Sequence, residues 1–490
     1  MQMDLAGKLR RAVLIASADR YINLIIGFGL IAAVSRLLSP AEVGVSVLGA
    51  TVIGLVEMVR DVPSTYLVQR QDLTPTAGRA AFSIMLLVSA VVAGALVASS
   101  GAIGAAYGDP GMAHYAWVLA AALLLGPFER PASALLRRKL DFTRLAVVNI
   151  VTVATNAAVA VGLAAGGFGY MSFAWATLAA GLASVVVANA LNPTFWIYRP
   201  HLAGWREPVR LGAYSSAWGL LRKAMEAVPY LVLGQQLNGL GLYGRAAVLS
   251  DTPDKLILAG IVPVAYPALA AERNAGRSLK QPLLMALAYI TAVTWPAYLL
   301  LAALAHPVVT LLLGPGWGGV VPVLQVLAFA KLLMFFDGLI FAVLFLVGAL
   351  RSLVVSALIP LPLFALGASL AAGGGPIAIA CCLLAVAPVY CAAGLYCLRR
   401  AVPFAWGELA GLLARSAGVT LISMGPPALL MAAGWVRPDM SLATGCGIAA
   451  LAALGWLIGL SVTGHPLRAE VMRLAAVLRV TAFGLRRRSA

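Results

Sequence analysis

Apolar runs long enough to cross a bilayer recur along the whole chain, separated by short clusters of glycine, proline and charge. A hydrocarbon core about 30 Å thick takes roughly 20 apolar residues per helical crossing. On that measure the pattern predicts about fourteen helices, near 12–35, 43–67, 80–106, 113–136, 145–166, 170–197, 209–234, 241–268, 283–306, 320–347, 352–372, 376–398, 410–434 and 441–462. The breaks between them carry turn-forming residues, such as Gly108-Asp109-Pro110-Gly111, Gly314-Pro315-Gly316 and Gly373-Gly374-Gly375-Pro376. The stretches near 209–234 and 241–268 are the least hydrophobic and the most charged.

Composition narrows the class. Of 490 residues, 62% are hydrophobic and only 11% charged, more apolar surface than a soluble domain of this length could bury. Only helices or closed barrels satisfy their backbone groups in lipid, and these runs are too long for barrel strands. The fold class is therefore all-α, polytopic and membrane-embedded. Lys8, Arg10 and Arg11 precede an apolar stretch as in a signal peptide. That stretch continues past Asp19 and Arg20 to about Ser35 without a small-residue cleavage site, so it is read as a retained first helix.

The formal charge of +17 would suit a nucleic-acid partner, but the placement of the positives argues for membrane topology instead. Twenty-four Lys and Arg fall in loops and tail on the side of the N-terminus, and only Arg36 and Arg437 on the other. By the positive-inside rule this predicts cytoplasmic termini. Residues 465–490 form a basic cytoplasmic tail ending near Arg486-Arg487-Arg488, suited to lie against anionic lipid. Cys381, Cys382, Cys391, Cys397 and Cys446 sit in apolar spans without metal-ligand spacing, and the four histidines are scattered. No catalytic residue, metal site or cofactor is expected, and no nucleotide-binding loop is found.

Nine basic residues fall within or at the ends of predicted helices: Arg20, Arg60, Arg130, Arg222, Lys223, Arg245, Lys255, Lys331 and Arg415. They accompany acids. Asp19, Arg20 and Asn23 lie on the first predicted helix, and Glu57, Arg60 and Asp61 on the second. Arg222, Lys223 and Glu226 lie on the seventh, Asp251, Asp254 and Lys255 on the eighth, and Lys331 and Asp337 on the tenth. A weak repeat links these helices: Leu38-Ser39-Pro40-Ala41-Glu42-Val43-Gly44 opens the second, and Leu237-Asn238-Gly239-Leu240-Gly241 the eighth. An offset of six helices keeps both halves in the same orientation, as in transporters with parallel repeats. Charges facing lipid would be prohibitive, so they must face one another or water. For single pairs such as Arg60/Asp61, Lys223/Glu226 or Asp254/Lys255, neutralisation and a substrate role weigh equally; for the whole set, a hydrated central cavity is expected. Pro63, Pro229, Pro253, Pro263 and Pro267 interrupt the same helices and permit bending.

Several motifs resemble the polysaccharide-transporter branch of the multidrug/oligosaccharidyl-lipid/polysaccharide exporter superfamily, the Wzx-type flippases. They are Ser35-Arg36-Leu37-Leu38-Ser39-Pro40-Ala41-Glu42-Val43-Gly44, Tyr66-Leu67-Val68-Gln69-Arg70-Gln71-Asp72-Leu73-Thr74 and Leu135-Leu136-Arg137-Arg138-Lys139-Leu140-Asp141-Phe142. Gly241-Leu242-Tyr243-Gly244-Arg245-Ala246 and Pro253-Asp254-Lys255-Leu256 leading to Tyr266-Pro267-Ala268-Leu269 follow in the expected order. One departure stands out. Near the end of the seventh helix the family often places an acid, where this chain has Val228-Pro229-Tyr230 with Glu226 nearby.

The resemblance implies an N-lobe (1–204), a C-lobe (205–402) and two further helices (403–464) before the tail. It also implies alternating access and, as substrate, an undecaprenyl-diphosphate-linked oligosaccharide repeat unit. Membrane lipid, and the polysaccharide polymerase and export machinery, would be the partners. An anionic diphosphate calls for Arg and Lys, so Arg20, Arg60, Arg222, Lys223, Arg245, Lys255 and Lys331 are the expected substrate-binding cations. Asp19, Glu57, Asp61, Glu226, Asp251, Asp254 and Asp337 are the expected ion-coupling carboxylates. Tyr21, Tyr214, Trp218, Tyr230 and Tyr243 could line a sugar site or anchor at the interface. A cation antiporter of the same superfamily is the nearest alternative, but seven bases against seven acids is too balanced for it. A membrane polymerase or ligase would want a long external loop, and every outward loop here is short.

Overall fold

The computed structural model describes residues 2–70, 73–256, 269–437 and 439–473. The described residues form α-helices and two short 3-10 turns, without strands. Among them, twelve helices are long and apolar enough to cross a membrane. The two predicted crossings missing from that set are the most charged ones. The residues near 209–234 form a helix that carries Arg222, Lys223 and Glu226, and those near 241–268 lie partly outside the described residues.

By contact the chain divides into two units, the first comprising residues 1–245, 312–317 and 361–379. It opens with α1 (Gln2–Leu37) and α2 (Pro40–Arg60). The start of α2 is written in its sequence: the Ser39 hydroxyl accepts from the Glu42 amide, the Glu42 side chain reaches back to the Ser39 amide, and Pro40 takes the first turn. Asp61 ends α2 and opens α3 (Val62–Gln69), so the single predicted helix 43–67 is two, with Pro63 just past the break. Next come α4 (Pro75–Tyr107), α5 (Gly111–Arg138), α6 (Phe142–Ala165), α7 (Met171–Leu191), α8 (Arg206–Val232) and α9 (Leu237–Ser250). Helix α4 packs on α5, α6 on both α1 and α7, and α5 on α7; α8 lies against α2 and α3.

Within this unit the opening turns of α2 and α9 cross at backbone contact. A Cβ on Gly44 would strike the Leu237 carbonyl, and a Cβ on Gly241 would strike the Pro40 carbonyl. The contact is reciprocal between the two segments that the sequence pairs as a repeat. Without side chains at these positions the backbones approach as closely as small-residue crossings in membranes allow.

The second unit comprises residues 246–311, 318–360 and 380–490. Its core joins α10 (Lys280–Ala303), α17 (Trp406–Ala432) and α18 (Leu442–Val462). Between α10 and α17 the chain forms α11 (Ala305–Leu312), α12 (Val320–Leu333), α13 (Asp337–Leu346), α14 (Leu350–Leu358), α15 (Pro360–Leu370) and α16 (Gly375–Ala401), of which α15 from Leu361 on and the start of α16 belong to the first unit. Gly455 and Gly459 let α18 touch the backbone of α17 at Ser423 and Val419. Trp456 donates its indole N–H to the Ala292 carbonyl at 2.7 Å. Two predicted helices prove interrupted. The stretch 320–347 breaks between Leu333 and Asp337, and 352–372 breaks before Pro360, which has no amide hydrogen to continue the ladder.

Candidate functional site

The last turn of α2 projects Glu57 and Arg60, at i and i+3, from one helix face, and Asp61 follows at the break. Helix α5 brings Glu129 and Arg130 to the same place. Arg60, only 3% exposed, holds Glu57 and Asp61 at 3.2 Å each. Arg130 meets Glu57 at 2.9 Å, and Asp61 and Glu129 at 3.4 Å. Glu129 also accepts the Ser133 hydroxyl. Gly126 clears the way for Arg60: a Cβ there would overlap its guanidinium. With every group ionised, three carboxylates surround two guanidiniums, so the cluster carries one net negative charge.

This cluster forms part of the wall of a cavity of about 490 Å³ inside the first unit. The rest of the lining mixes apolar Ile53, Leu123, Val148 and Val153 with amides and hydroxyls: Asn23 of α1, Asn149, Thr152 and Asn156 of α6, and Thr177 and Ser184 of α7. Asp19 organises that wall, accepting from Asn23 at 2.8 Å and from Asn149 at 2.9 Å. The Asn23 side-chain oxygen, Oδ1, is buried without a hydrogen-bond partner. The arrangement offers donors and acceptors of both kinds in a space large enough for a small sugar or for several waters.

The other predicted residues separate from this site. Arg20 is exposed on α1. On α8, Arg222 and Lys223 share Glu226, at 3.2 and 2.6 Å, and Arg222 lies over the Trp218 ring. In the second unit Lys331 bonds Asp251 at 2.7 Å, while Asp254 is half-buried and Lys255 exposed. The side chains of Asp337 and Tyr214 lie outside the described residues, as do Pro263 and Pro267. Tyr230 and Tyr243 meet edge to face, and Tyr21 is exposed. Arg245 is buried, and its Nε and Nη2 find no hydrogen-bond acceptor.

Glu57, Arg60 and Asp61, grouped by helical spacing in the sequence, do meet in the structure, together with Glu129 and Arg130, which were not among the candidate site residues. Asn149, Thr152 and Asn156 were also passed over. Their spacing of three and four residues on an otherwise apolar helix is the signal that could have found them.

The fold and this site define a multi-pass α-helical membrane protein that sets a partly buried charged cluster beside a cavity lined in part by amides and hydroxyls. Residues 33–322, more than half of the chain, match the family described as "Polysaccharide biosynthesis protein", and the chain belongs to that family. Two relatives are the lipopolysaccharide biosynthesis protein WzxC of Escherichia coli, 22% identical over 63% of this chain, and the succinoglycan biosynthesis transport protein ExoT of Rhizobium meliloti, 24% identical over 61%. The matches span 64% and 61% of those relatives' own lengths, less than two thirds. Among solved structures, the fold is similar to the lipid II flippase MurJ in an inward closed conformation. That likeness has a TM-score of 0.73 at 10% identity and covers 94% of this chain and all of the other.

Proposed function

We propose that this protein is a flippase that moves undecaprenyl-diphosphate-linked oligosaccharide repeat units across the bacterial inner membrane for polysaccharide biosynthesis. Its family and the names of its relatives support that role, and its fold is one found in a lipid II flippase. The observation that carries the reading is the charged cluster of Glu57, Arg60, Asp61, Glu129 and Arg130 bordering a polar cavity between apolar helices. A lipid-anchored sugar needs such a hydrophilic passage while its tail stays in the bilayer. The action is translocation rather than bond-making chemistry.

In this reading Arg20, Arg60, Arg222, Lys223, Arg245, Lys255 and Lys331 serve the diphosphate and sugar. Asp19, Glu57, Asp61, Glu226, Asp251, Asp254 and Asp337 include the group that couples transport to an ion gradient. The chain works as an N-lobe (1–204) and a C-lobe (205–402) in alternating access, followed by two helices, with both termini cytoplasmic. The reciprocal crossing at Gly44 and Gly241 supports a repeat relation between the lobes. The polymerase and export machinery would receive the product.

A strain lacking the gene should accumulate lipid-linked oligosaccharide in its inner membrane and lose exported polysaccharide, both restored by the intact gene. Normal export without accumulation would overturn the proposal. Reporter fusions after Arg137 and at the C-terminus should both behave as cytoplasmic; a periplasmic signal at either would reverse the topology. A cation antiporter is the second reading, favoured by the net negative charge of the cluster. It would show as cation-dependent drug efflux in a strain whose polysaccharide is unaffected.

A further inference from the structure

Arg36 and Arg245 belong to two separate motifs of the sequence, Ser35-Arg36-Leu37-Leu38-Ser39-Pro40 and Gly241-Leu242-Tyr243-Gly244-Arg245. The fold brings both to one loop. Residues 314–317 turn at Gly314, whose φ of +98° suits glycine, and the Trp317 amide bonds back to the Gly314 carbonyl. Trp317 is 2% exposed and donates its indole N–H to the Ser35 carbonyl at 2.6 Å. Arg245 lies over the same indole, with its guanidinium carbon 5.8 Å from the ring centroid. Arg36 runs beside Gly314 on the exposed side.

Two features of this cluster lack a counterpart. Arg245 is 9% exposed, and its Nε and Nη2 are buried without an acceptor. Ser35 is 4% exposed, and its hydroxyl is likewise buried without a partner. Glu57, Asp61 and Glu129 form ion pairs with Arg60 and Arg130 elsewhere in the unit, although the Arg130 Nε also lacks a hydrogen bond, whereas among the described residues no carboxylate pairs with Arg245. A cation–π contact returns less than an unpaired buried guanidinium loses on leaving water. Unsatisfied donors from a guanidinium and a hydroxyl, with a second arginine beside the same loop, are what an oxyanion needs.

We propose that Arg245, Ser35 and Arg36 form a phosphate-binding site built around Trp317, at the end of the first unit where α1 leads into α2. The inference rests on the flippase reading for its natural ligand, the diphosphate of the lipid-linked sugar. On the charge map that makes Arg36 external, this is the exit side of the transport path. The site holds the diphosphate there after the sugar has crossed. The headgroup of an anionic phospholipid offers the same chemistry, and the experiment separates the two.

The full chain, purified in detergent, is titrated with undecaprenyl diphosphate, phosphatidylglycerol and zwitterionic phosphatidylethanolamine, and bound lipid is counted by native mass spectrometry. Arg245→Gln should weaken retention of undecaprenyl diphosphate by about tenfold or more, and Ser35→Ala by a few fold. Arg245→Lys should recover part of the loss, because it restores charge without the forked donors. Ser35→Ala and Arg245→Lys keep the test open if Arg245→Gln does not fold. A parallel loss for phosphatidylglycerol assigns the site to headgroups in general, and a loss confined to undecaprenyl diphosphate assigns it to the substrate; either upholds a phosphate site. Unchanged retention in the folded variants would overturn it. The flippase reading fails separately, if the deletion strain exports normally while these binding differences persist.

Discussion

Arg60 and Arg245 are both guanidiniums buried among apolar helices of the same unit, but their surroundings are opposite. Glu57 and Asp61, at the end of α2, hold Arg60, and Arg130 of α5 shares both carboxylates. Arg245 has an indole and no acceptor for two of its nitrogens. A paired buried charge fixes geometry and resists removal of either partner, whereas an unpaired one is a standing cost that a ligand can relieve. The difference teaches that intramembrane charge alone does not identify a binding group; the partners around it do.

The comparison predicts opposite signs for one type of substitution. Arg60→Leu should have the largest effect, because it leaves Glu57, Asp61 and Glu129 with Arg130 as their only cation in the cluster. A loss of about 3 kcal/mol in stability is expected, with export abolished. Thermal unfolding in detergent and polysaccharide yield would check this; an unaltered midpoint would mean the cluster holds nothing together.

Gly126→Ala approaches the same cluster from the other side. The added methyl occupies the space of the Arg60 guanidinium, so stability should fall by about 1–3 kcal/mol. Combining it with Arg60→Leu should cost less than the two effects added, since the obstructed group is then gone. Full additivity would separate the glycine from the arginine.

Arg245→Leu should leave the unliganded protein equally stable or raise it by about 1 kcal/mol, because it removes an unpaired buried charge. A fall comparable to that of Arg60→Leu, measured on the same unfolding curves, would erase the contrast.

The smallest effect lies in the second unit. His465, just beyond α18, accepts from the Leu467 amide at 3.2 Å and meets the Ser416 hydroxyl at 3.2 Å. Burial, then the nearby Arg415, push its pKa below the ordinary value, so the neutral ring is the one that folds. That stabilisation is complete above the unfolded pKa and is lost as pH falls through the folded one. Protection of the Leu467 amide, relative to its intrinsic exchange rate at each pH, should therefore fall modestly on acidification, and His465→Asn should remove that fall.

The membrane class and most helices were legible because lipid imposes one strong rule, a long apolar run, on every crossing. The breaks at Asp61 and before Pro360 each have a proline beside them, but a proline alone does not say whether a membrane helix bends or stops. Glu57, Arg60 and Asp61 were legible as a group because helical spacing sets them side by side. Glu129 and Arg130 were not, since their pairing with α2 spans some seventy residues of chain and depends on how α5 docks. The amides of α6 went unread because Asn and Thr in an apolar helix carry no charge to attract notice. The isolation of Arg245 is a property of packing alone, for its sequence neighbours resemble those of any other helical arginine.

The central claim, that this chain moves a lipid-linked sugar past the Arg60 cluster, is tested most directly in liposomes. Purified protein is reconstituted with an undecaprenyl-diphosphate-linked oligosaccharide bearing a fluorescent sugar, and a membrane-impermeant quencher reports the fraction exposed outside. In vesicles of intact protein the protected fraction should cross and be quenched with time, while Arg60→Leu vesicles should keep it protected, as protein-free ones do. Crossing at the protein-free rate with intact, folded protein, under an imposed proton or sodium gradient of either direction, would contradict the account.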